Sequence, residues 1–305
     1  MAQADQPMPV RWVRAFTEWV GQGRKLTQTR RITLADARAL LVLLGIDDEI
    51  DPQIGDRVFR TTSSDELPRL RLIVEWSKAA GLVRVVKGRL LQVKKNRTLL
   101  DRPVELADRM FEAFPKLGEV ICPSGWGESP LREEFSPAMG AVLARLYGGP
   151  AQVAELCALA WDVSTAPYVI EDAVEQHQRT WRLANDRDTR RALAVLEDLG
   201  AIKLTGEAVE LTASGLRGVR RLLGEAQPGE PVYQIKVTLL ETADPVVWRR
   251  LLVAAGTPLD RLHRVVQAAM GWQNCHLHSF TADGAVYGRP DPELGFRDEK
   301  AVRLA

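Results

Sequence analysis

The sequence has few of the residues and segments that mark secreted or membrane proteins. It contains three cysteines, and Cys122, Cys157 and Cys275 lie far apart in the chain. An odd, scattered set argues against a disulfide framework and predicts a reducing, cytoplasmic location. No run approaches the roughly 18 uninterrupted apolar residues of a membrane span. The first residues also lack the basic-then-apolar order of a signal peptide, so we expect no membrane partner.

Neither sign of charge is in excess. Lys and Arg together number 41 and Asp and Glu 40, which gives a formal net charge of +1. A protein of this composition needs a local basic patch if it is to bind nucleic acid. Apolar residues make up 46% of the sequence, which is enough for globular cores. The length of 305 residues predicts two or three domains.

The motifs of common enzymes are also missing. The sequence has no P-loop, no G-x-S-x-G and no H-E-x-x-H pattern. A serine recombinase needs a serine near its N-terminus, and the first serine here is Ser63. The residues after His263 depart from the His-x-x-Arg of a tyrosine recombinase. We therefore expect a non-enzymatic protein without a cofactor, and chemistry that lacks a recognisable motif is the alternative.

One block of sequence occurs twice, at residues 70–96 and again at 189–215. Each copy predicts a helix, a glycine, a strand, a turn with glycine and a returning strand. This order is typical of a winged helix, in which the third helix leads into a β-hairpin, although other folds also contain it. Preceding helices are predicted over 32–44 for the first copy, and over 137–147, 151–161 and, as an extra helix, 168–182 for the second.

Segments rich in helix breakers divide the chain. Residues 122–130 predict a boundary, and 225–231 (E-A-Q-P-G-E-P) predict a linker. We therefore expect a helical, winged-helix-like unit over 1–122, a second one over 131–224 and a C-terminal domain over 232–305.

The first predicted hairpin offers the best nucleic-acid contact. Its basic residues lie within 84–97, a stretch without any acid, and they are Arg84, Lys87, Arg89, Lys94, Lys95 and Arg97. Contacts between such a hairpin and phosphates release counterions and add affinity that does not depend on sequence. An ordinary solvated hairpin is the alternative.

The second copy gives a weaker signal. Arg187, Arg190 and Arg191 are predicted at the start of its third helix, where a recognition helix meets base edges. Its hairpin carries Glu207 and Glu210, which would repel a phosphate backbone. We therefore expect the second copy to pack against protein.

The C-terminal domain has the clearest local pattern. Strands are predicted over 233–239 and 246–253, a helix over 257–270, an extended segment over 272–280 and a strand over 285–287. Asp283-Gly284 is a hairpin turn, and one helix can cover one face of a small β-β-α-β-β sheet. Trp248 and Trp272 are predicted to close the core of this sheet. With the mostly helical N-terminal part, the fold class is α+β.

This domain resembles the plasmid pRiA4b ORF-3-like family through V-W-R-R-L-L-V, T-P-L-D-R-L-H-R-V-V-Q-A-A-M-G-W, H-L-H-S-F and Y-G. The motif positions are Trp248, Arg249, Arg250, His263, Arg264, Gln267, Gly271, Trp272, His276 and His278. The resemblance implies plasmids and insertion elements, where such proteins are often labelled passengers or resolvase-like, and it implies no established reaction. Family domains continue into an acidic strand, so the resemblance predicts a truncated domain here.

The motif histidines also form the one metal-like cluster of the sequence. His276 and His278 alternate along a strand and His263 lies on the adjacent helix, so three ligands could meet. No carboxylate stands at a suitable spacing, so packing and hydrogen bonding are the favoured roles and no metal is expected.

These observations predict a mobile-element-associated accessory protein that binds double-stranded DNA through the first hairpin. One alternative is an adaptor that binds other proteins and no nucleic acid. The other is a recombination or hydrolytic accessory whose site lies in a segment beyond residue 305.

Overall fold

The computed structural model describes residues 6–123, 128–166, 175–223, 231–240, 242, 245–270, 272, 277–290 and 295–304. They belong to two compact units, a large unit over Met1–Val219 and a small unit over Arg220–Ala305. Helices dominate the large unit and short strands the small one, so the α+β class predicted from the sequence is confirmed.

The large unit begins with three helices, two small hairpins and a short first strand. The elements are α1 Met8–Val20, β1 Arg24–Lys25, α2 Leu34–Leu44, β2 Gln53–Ile54, β3 Arg57–Val58, α3 Pro68–Ala79, β4 Val83–Val86 and β5 Arg89–Gln92. Strand β5 lies between β4 and β1, and both pairings are antiparallel. We call this series, residues 8–92, the first repeat.

Capping side chains and one buried aromatic residue fix the helices of the first repeat. The Thr33 hydroxyl accepts the Asp36 N–H at 3.1 Å and opens α2. The Asp48 carboxylate accepts the N–H groups of Arg69 and Leu70, which start α3. Trp76 of α3 is buried, and its indole N–H donates to the Met110 carbonyl at 2.8 Å. These contacts hold α3 in the interior of the unit.

After two connecting helices, the described residues in the rest of the large unit repeat this order of elements without a counterpart of the β2–β3 hairpin and add a final helix. The elements are α4 Pro103–Ala113, α5 Gly118–Ile121, α6 Phe135–Tyr147, β6 Ala151–Gln152, α7 Val153–Thr165, α8 Glu175–Asp198, β7 Ile202–Thr205, β8 Ala208–Leu211 and α9 Ala213–Leu223. Strand β8 lies between β7 and β6, as β5 lies between β4 and β1. We call residues 135–211 the second repeat.

Two expectations about these repeats were wrong. The extra helix over 168–182 does not stand alone, since residues 175–182 form the first part of α8 and 167–174 lie outside the described residues. No proline or glycine interrupts α8, and Arg182 pairs with Asp186 one turn later at 3.1 Å. Arg187, Arg190 and Arg191 therefore lie in the middle of the third helix and not at its start.

The first hairpin is also shorter than the sequence suggests. Strand β5 ends at Gln92, and the next residues form a 3₁₀ helix over Lys94–Asp101. The Asn96 side chain donates to the Gly81 carbonyl at 2.8 Å and ties this 3₁₀ helix to the end of α3. Lys94, Lys95 and Arg97 thus follow the hairpin and do not project from it.

The small unit contains strands on both sides of one helix. The elements are β9 Val232–Thr238, β10 Trp248–Ala254, α10 Leu259–Met270, β11 Phe280–Ala282, β12 Ala285–Gly288 and β13 Arg297–Asp298. The described strands form two sheets, an antiparallel β9–β10 pair and a β11-β12-β13 sheet in which β12 and β13 are parallel. The predicted Asp283-Gly284 turn joins β11 to β12. The predicted order is thus found, with an added strand.

Two of the last described residues pack against the core of the small unit. Val253, Leu259 and Leu262 are buried at its centre, and Val302 and Leu304 pack against them. The N–H of Leu259 donates to the Val302 carbonyl, and the N–H of Leu304 donates to the Thr257 carbonyl, both at 3.0 Å. The C-terminal segment is therefore held beside the start of α10 by backbone bonds as well as by apolar contact.

Candidate nucleic-acid interface and the histidine pair

A lysine occupies the tip of the first hairpin. Val86 pairs with Arg89, so Lys87 and Gly88 are the two turn residues. Their φ angles of 48° and 73° are both positive, as a type I′ turn requires. Asn, Asp and Gly are the usual residues at these positions, because a side chain such as lysine is strained there. The turn therefore exposes Lys87 at some cost in backbone energy.

A groove of about 1490 Å³ lies beside this hairpin. Its walls come from the end of α1, from β4 and β5, and from the 3₁₀ helix that follows. The charged residues that line it are Arg84, Lys94, Lys95, Arg97, Glu18 and Asp101. Glu18 is already paired with Arg14 at 3.1 Å, so positive charge prevails.

The cations of the hairpin and groove are available to a ligand. Within the described ranges, no carboxylate forms an ion pair with the exposed side chains of Arg84, Lys87, Lys94, Lys95 and Arg97. Arg89 differs, since its guanidinium donates to the Gly23 carbonyl at 3.2 Å. None of the six hairpin and groove cations predicted for phosphate contact is therefore neutralised by a carboxylate in the described ranges, and Arg89 alone is held by a backbone carbonyl.

Helix α3 of the first repeat is enclosed. Every residue from Leu70 to Ala79 is buried or half-buried. Its cations are engaged: Arg69 lies 3.5 Å from Asp47, and Lys78 lies 2.7 Å from Glu75. A helix that reads bases must enter the major groove of DNA with one face free. Helix α3 offers no such face.

The arginines of the second repeat bind carboxylates of the protein. Asp188 is fully buried, and its carboxylate accepts from Arg187 at 2.9 Å, Arg191 at 3.3 Å and the Ser129 hydroxyl at 2.9 Å. The hydrogen bond to Asp188 raises the pKa of Arg187 above its usual value. Arg190 pairs with Glu207 of the second hairpin at 3.3 Å. The second repeat therefore presents less free positive charge than the first.

Two cysteines are buried in the large unit. Burial, reinforced by the Asp188 carboxylate, raises the pKa of Cys122 to about 12. Burial and the Asp186 carboxylate raise the pKa of Cys157 to about 11. Both thiols are therefore protonated near neutral pH, and neither is an activated nucleophile. Cys275 lies outside the described residues.

Two histidines of the small unit stack on each other. The rings of His263 and His278 are 3.4 Å apart between centroids and 8° from parallel. The lone pairs of imidazole lie in the ring plane, so two parallel rings cannot both direct one at the same ion. Among the residues that the structure describes, no three His, Cys, Asp or Glu side chains could hold a metal. His276 lies outside those residues.

Glu299 is the partner that sequence reasoning missed. Its buried carboxylate lies 2.7 Å from Nε2 of His278. Glu299 lies too far from His278 along the chain for the two to share a predicted helix or strand. No periodic pattern in the sequence could therefore have paired them. No carboxylate near these histidines was visible from the spacing of residues in the sequence, and Glu299 reaches His278 because β13 returns beside β12.

The two motif tryptophans are exposed, which contradicts their prediction as core residues. Trp248 is 44% exposed and Trp272 is 46% exposed. Trp248 lies on the face of β10 opposite Val253, the residue that packs with α10. The alternation of side chains along a strand does not show which face of the strand a helix covers. Here α10 covers the face that carries Leu251 and Val253.

Comparison with known proteins finds a family match for the C-terminal segment of the chain. Residues 231–305 match the model of the plasmid pRiA4b ORF-3-like protein family. The chain is 47% identical over 64 residues to the uncharacterized protein y4hQ of Sinorhizobium fredii (strain NBRC 101917 / NGR234). The aligned part is 21% of this chain and 32% of that protein, so the chain spans about a third of the curated relative's length. No solved structure matches the chain significantly.

Among the pRiA4b ORF-3-like motif residues, Arg249 joins β10 to α10, whereas Arg264 and Gln267 form contacts within α10 or at its end. Arg249 donates to the Ala269 carbonyl at 3.0 Å, and Arg264 lies 3.6 Å from Asp260 within the helix. The backbone carbonyl of Gln267 accepts the Trp272 N–H at 2.9 Å where the helix ends. Gly271 lies outside the described residues.

In the ranges that the structure covers, no helix has the length and apolar composition needed to cross a membrane.

Proposed function

We propose that the first repeat is a winged-helix-like unit that binds double-stranded DNA through its phosphates. The observation that supports this most directly is the set of five exposed, unpaired cations on the hairpin and groove. The order of three helices followed by a hairpin, with β5 between β1 and β4, supports the winged-helix-like part of the proposal. A strained lysine at the tip supports the same function, since strain is retained where a site needs it.

The proposed binding does not depend on DNA sequence. Phosphate contacts position a protein on DNA, and base contacts provide sequence discrimination. Helix α3 is enclosed, so the first repeat has no recognition helix to place in the major groove. We infer a cytoplasmic, non-enzymatic accessory protein of mobile elements, in which the second repeat packs against protein.

An adaptor role without DNA is the second candidate. Val42 and Leu43, neighbours on α2, are 85% and 53% exposed. Exposed apolar side chains that form a larger patch mark contacts with other proteins, and these two could contribute to one. This candidate predicts a partner for α2 and no duplex binding.

A binding experiment with matched variants separates the two. The purified chain is titrated onto a labelled random duplex at about 50 mM salt, where phosphate contacts are strong. The variant with Lys87→Ala, Lys94→Ala and Lys95→Ala should weaken binding at least tenfold for all duplex sequences alike. The control variant, Arg190→Ala with Lys203→Ala, removes two cations from the second repeat and should bind as the wild type does.

The opposite results are equally informative. Absence of duplex binding by the wild type leaves the adaptor role as the better account. A strong preference of the wild type for one duplex sequence contradicts the inference from the enclosed α3. A His278→Ala variant should bind duplex unchanged.

A further inference from the structure

In the part of the chain that the structure describes, α10 covers one face of the β9–β10 sheet, and the other face is exposed except at Ala254. Side chains alternate along paired strands, and Ile235, Leu251 and Val253 lie on the face that packs with α10. The exposed side chains of the opposite face are Val232, Gln234, Lys236, Thr238, Trp248, Arg250 and Leu252. We call this set the Trp248 face.

The centre of the Trp248 face combines an aromatic ring with two positive charges. Nζ of Lys236 lies 5.4 Å and Cζ of Arg250 lies 5.7 Å from the centroid of the Trp248 ring. The strand register places Arg250 directly opposite Lys236. No side chain of the face is acidic, so it complements an anion.

This combination fits a single strand of nucleic acid better than other partners. Every base can stack on an aromatic side chain, and flanking Lys or Arg side chains bind the phosphates. A duplex does not fit, because its bases are paired and stacked within the helix. A second copy of the chain would bring like charges together at Lys236 and Arg250. The apolar part of the face is limited to Val232, Leu252 and the Trp248 ring, which is small for a protein interface.

We propose that the Trp248 face binds single-stranded DNA. One base stacks on the Trp248 ring, and Lys236 and Arg250 contact the phosphates beside it. The choice of DNA over RNA rests on the function proposed for the first repeat. The inference that the Trp248 face stacks on a base rests only on the residues of that face.

The test uses the full chain carrying Lys87→Ala, Lys94→Ala and Lys95→Ala, so that the first repeat contributes little. Affinity for a short labelled oligo(dT) is measured by fluorescence anisotropy. Trp248→Ala should weaken binding by about 5- to 150-fold, the range for loss of one stacked base. Trp248→Phe, which keeps a ring, should bind within a few-fold of its parent. The control is Trp272→Ala, since Trp272 is equally exposed in the same unit and should not change affinity.

Two further measurements separate stacking from simple charge attraction. An abasic oligonucleotide keeps the phosphates and should bind as weakly to the parent chain as oligo(dT) binds to Trp248→Ala. Replacing Lys236 and Arg250 by Gln should reduce the slope of log K against log salt by about 0.7 for each lost contact.

Several results would overturn the proposal. One is equal affinity of the Trp248→Ala and Trp272→Ala variants for oligo(dT). Another is equal affinity of the parent chain for abasic and normal strands. A third is that the parent chain binds oligo(rU) but does not bind oligo(dT). Self-association that Trp248→Ala abolishes would assign the face to a second copy. Loss of wild-type duplex binding with oligo(dT) binding intact would overturn only the function of the first repeat.

Discussion

At the scale of single residues, Asp188 is the polar group on which the second repeat depends most. It is fully buried and accepts hydrogen bonds from two arginines and a serine. Asp188→Ala should lower the free energy of unfolding by about 2–3 kcal/mol, because hydrogen bonds to a charged group are lost together. Urea unfolding measures this change. Glu210→Ala, at an exposed strand position, should change it by less than about 0.5 kcal/mol.

The buried thiols predict how stability depends on alkaline pH. The pKa of Cys122 is raised from 9.0 to about 12 and that of Cys157 to about 11. Above pH 9 the unfolded chain loses these thiol protons, whereas the folded chain keeps them. Ionisation therefore lowers the free energy of the unfolded state alone, and the free energy of unfolding falls as pH rises. Each thiol should remove up to about 1.4 kcal/mol per pH unit until its folded pKa is reached.

Urea unfolding between pH 7 and 11 tests this dependence. The variant with Cys122→Ala and Cys157→Ala should have a flatter profile above pH 9 than the wild type, because it lacks both thiols. Identical profiles would show that the two thiols ionise as readily in the folded chain as in the unfolded chain.

Burial of single residues was the part of the structure that the sequence predicted least well. The alternation around Trp248 indicated a strand correctly, but both strand faces carry large apolar residues. Which face is covered depends on where α10 crosses, and that contact is tertiary. Glu299 illustrates the same limit, since its pairing with His278 is created by the path of the chain between β12 and β13.

At the scale of elements, the hairpins were predictable because their signals are local. Glycine turns and alternating side chains indicated β4–β5 and β7–β8, and Asp283-Gly284 indicated β11–β12. The strands β1 and β6 were missed, because a two-residue strand has no period that a sequence can reveal. The length of α8 was missed because its first residues are polar and follow a stretch without a clear boundary.

The first hairpin exchanges stability for an exposed charge at its tip. Lys87→Asn replaces a residue strained at a φ of 48° with one that tolerates this conformation. The free energy of unfolding should rise by about 0.5–1 kcal/mol, while affinity for duplex DNA falls because one phosphate contact is lost. Urea unfolding and duplex titration of the same sample measure both effects.

The β11–β12 hairpin provides the matched control. Asp283 has a φ of 49° at the equivalent turn position, and Asp is a favoured residue there. Asp283→Lys should therefore lower stability by a similar amount and leave duplex affinity almost unchanged. A loss of stability in Lys87→Asn would contradict the interpretation of Lys87 as a strained, functional residue.

At the scale of the whole molecule, the two repeats share an order of elements and differ in what their cations contact. The sequence predicted the repeat and the basic stretch, since both are visible in residue order. It did not show that α3 is enclosed or that Arg187 and Arg191 surround a buried carboxylate, because both depend on packing between distant segments. These two facts support the proposal that phosphates contact the first repeat and not the second, and that the binding does not depend on sequence.

The salt dependence of duplex binding is the sharpest test of phosphate contact by the first repeat. Log K is measured against log salt for the wild type and for the variant with Lys87, Lys94 and Lys95 replaced by Ala. Each phosphate contact contributes about 0.9 to the slope, so three or four contacts predict a wild-type slope near −3. Removal of three contacts should reduce the magnitude of the slope by about 2.7, to between zero and about −0.9, on every duplex sequence. A variant slope equal to that of the wild type would show that DNA is bound elsewhere and would contradict the account.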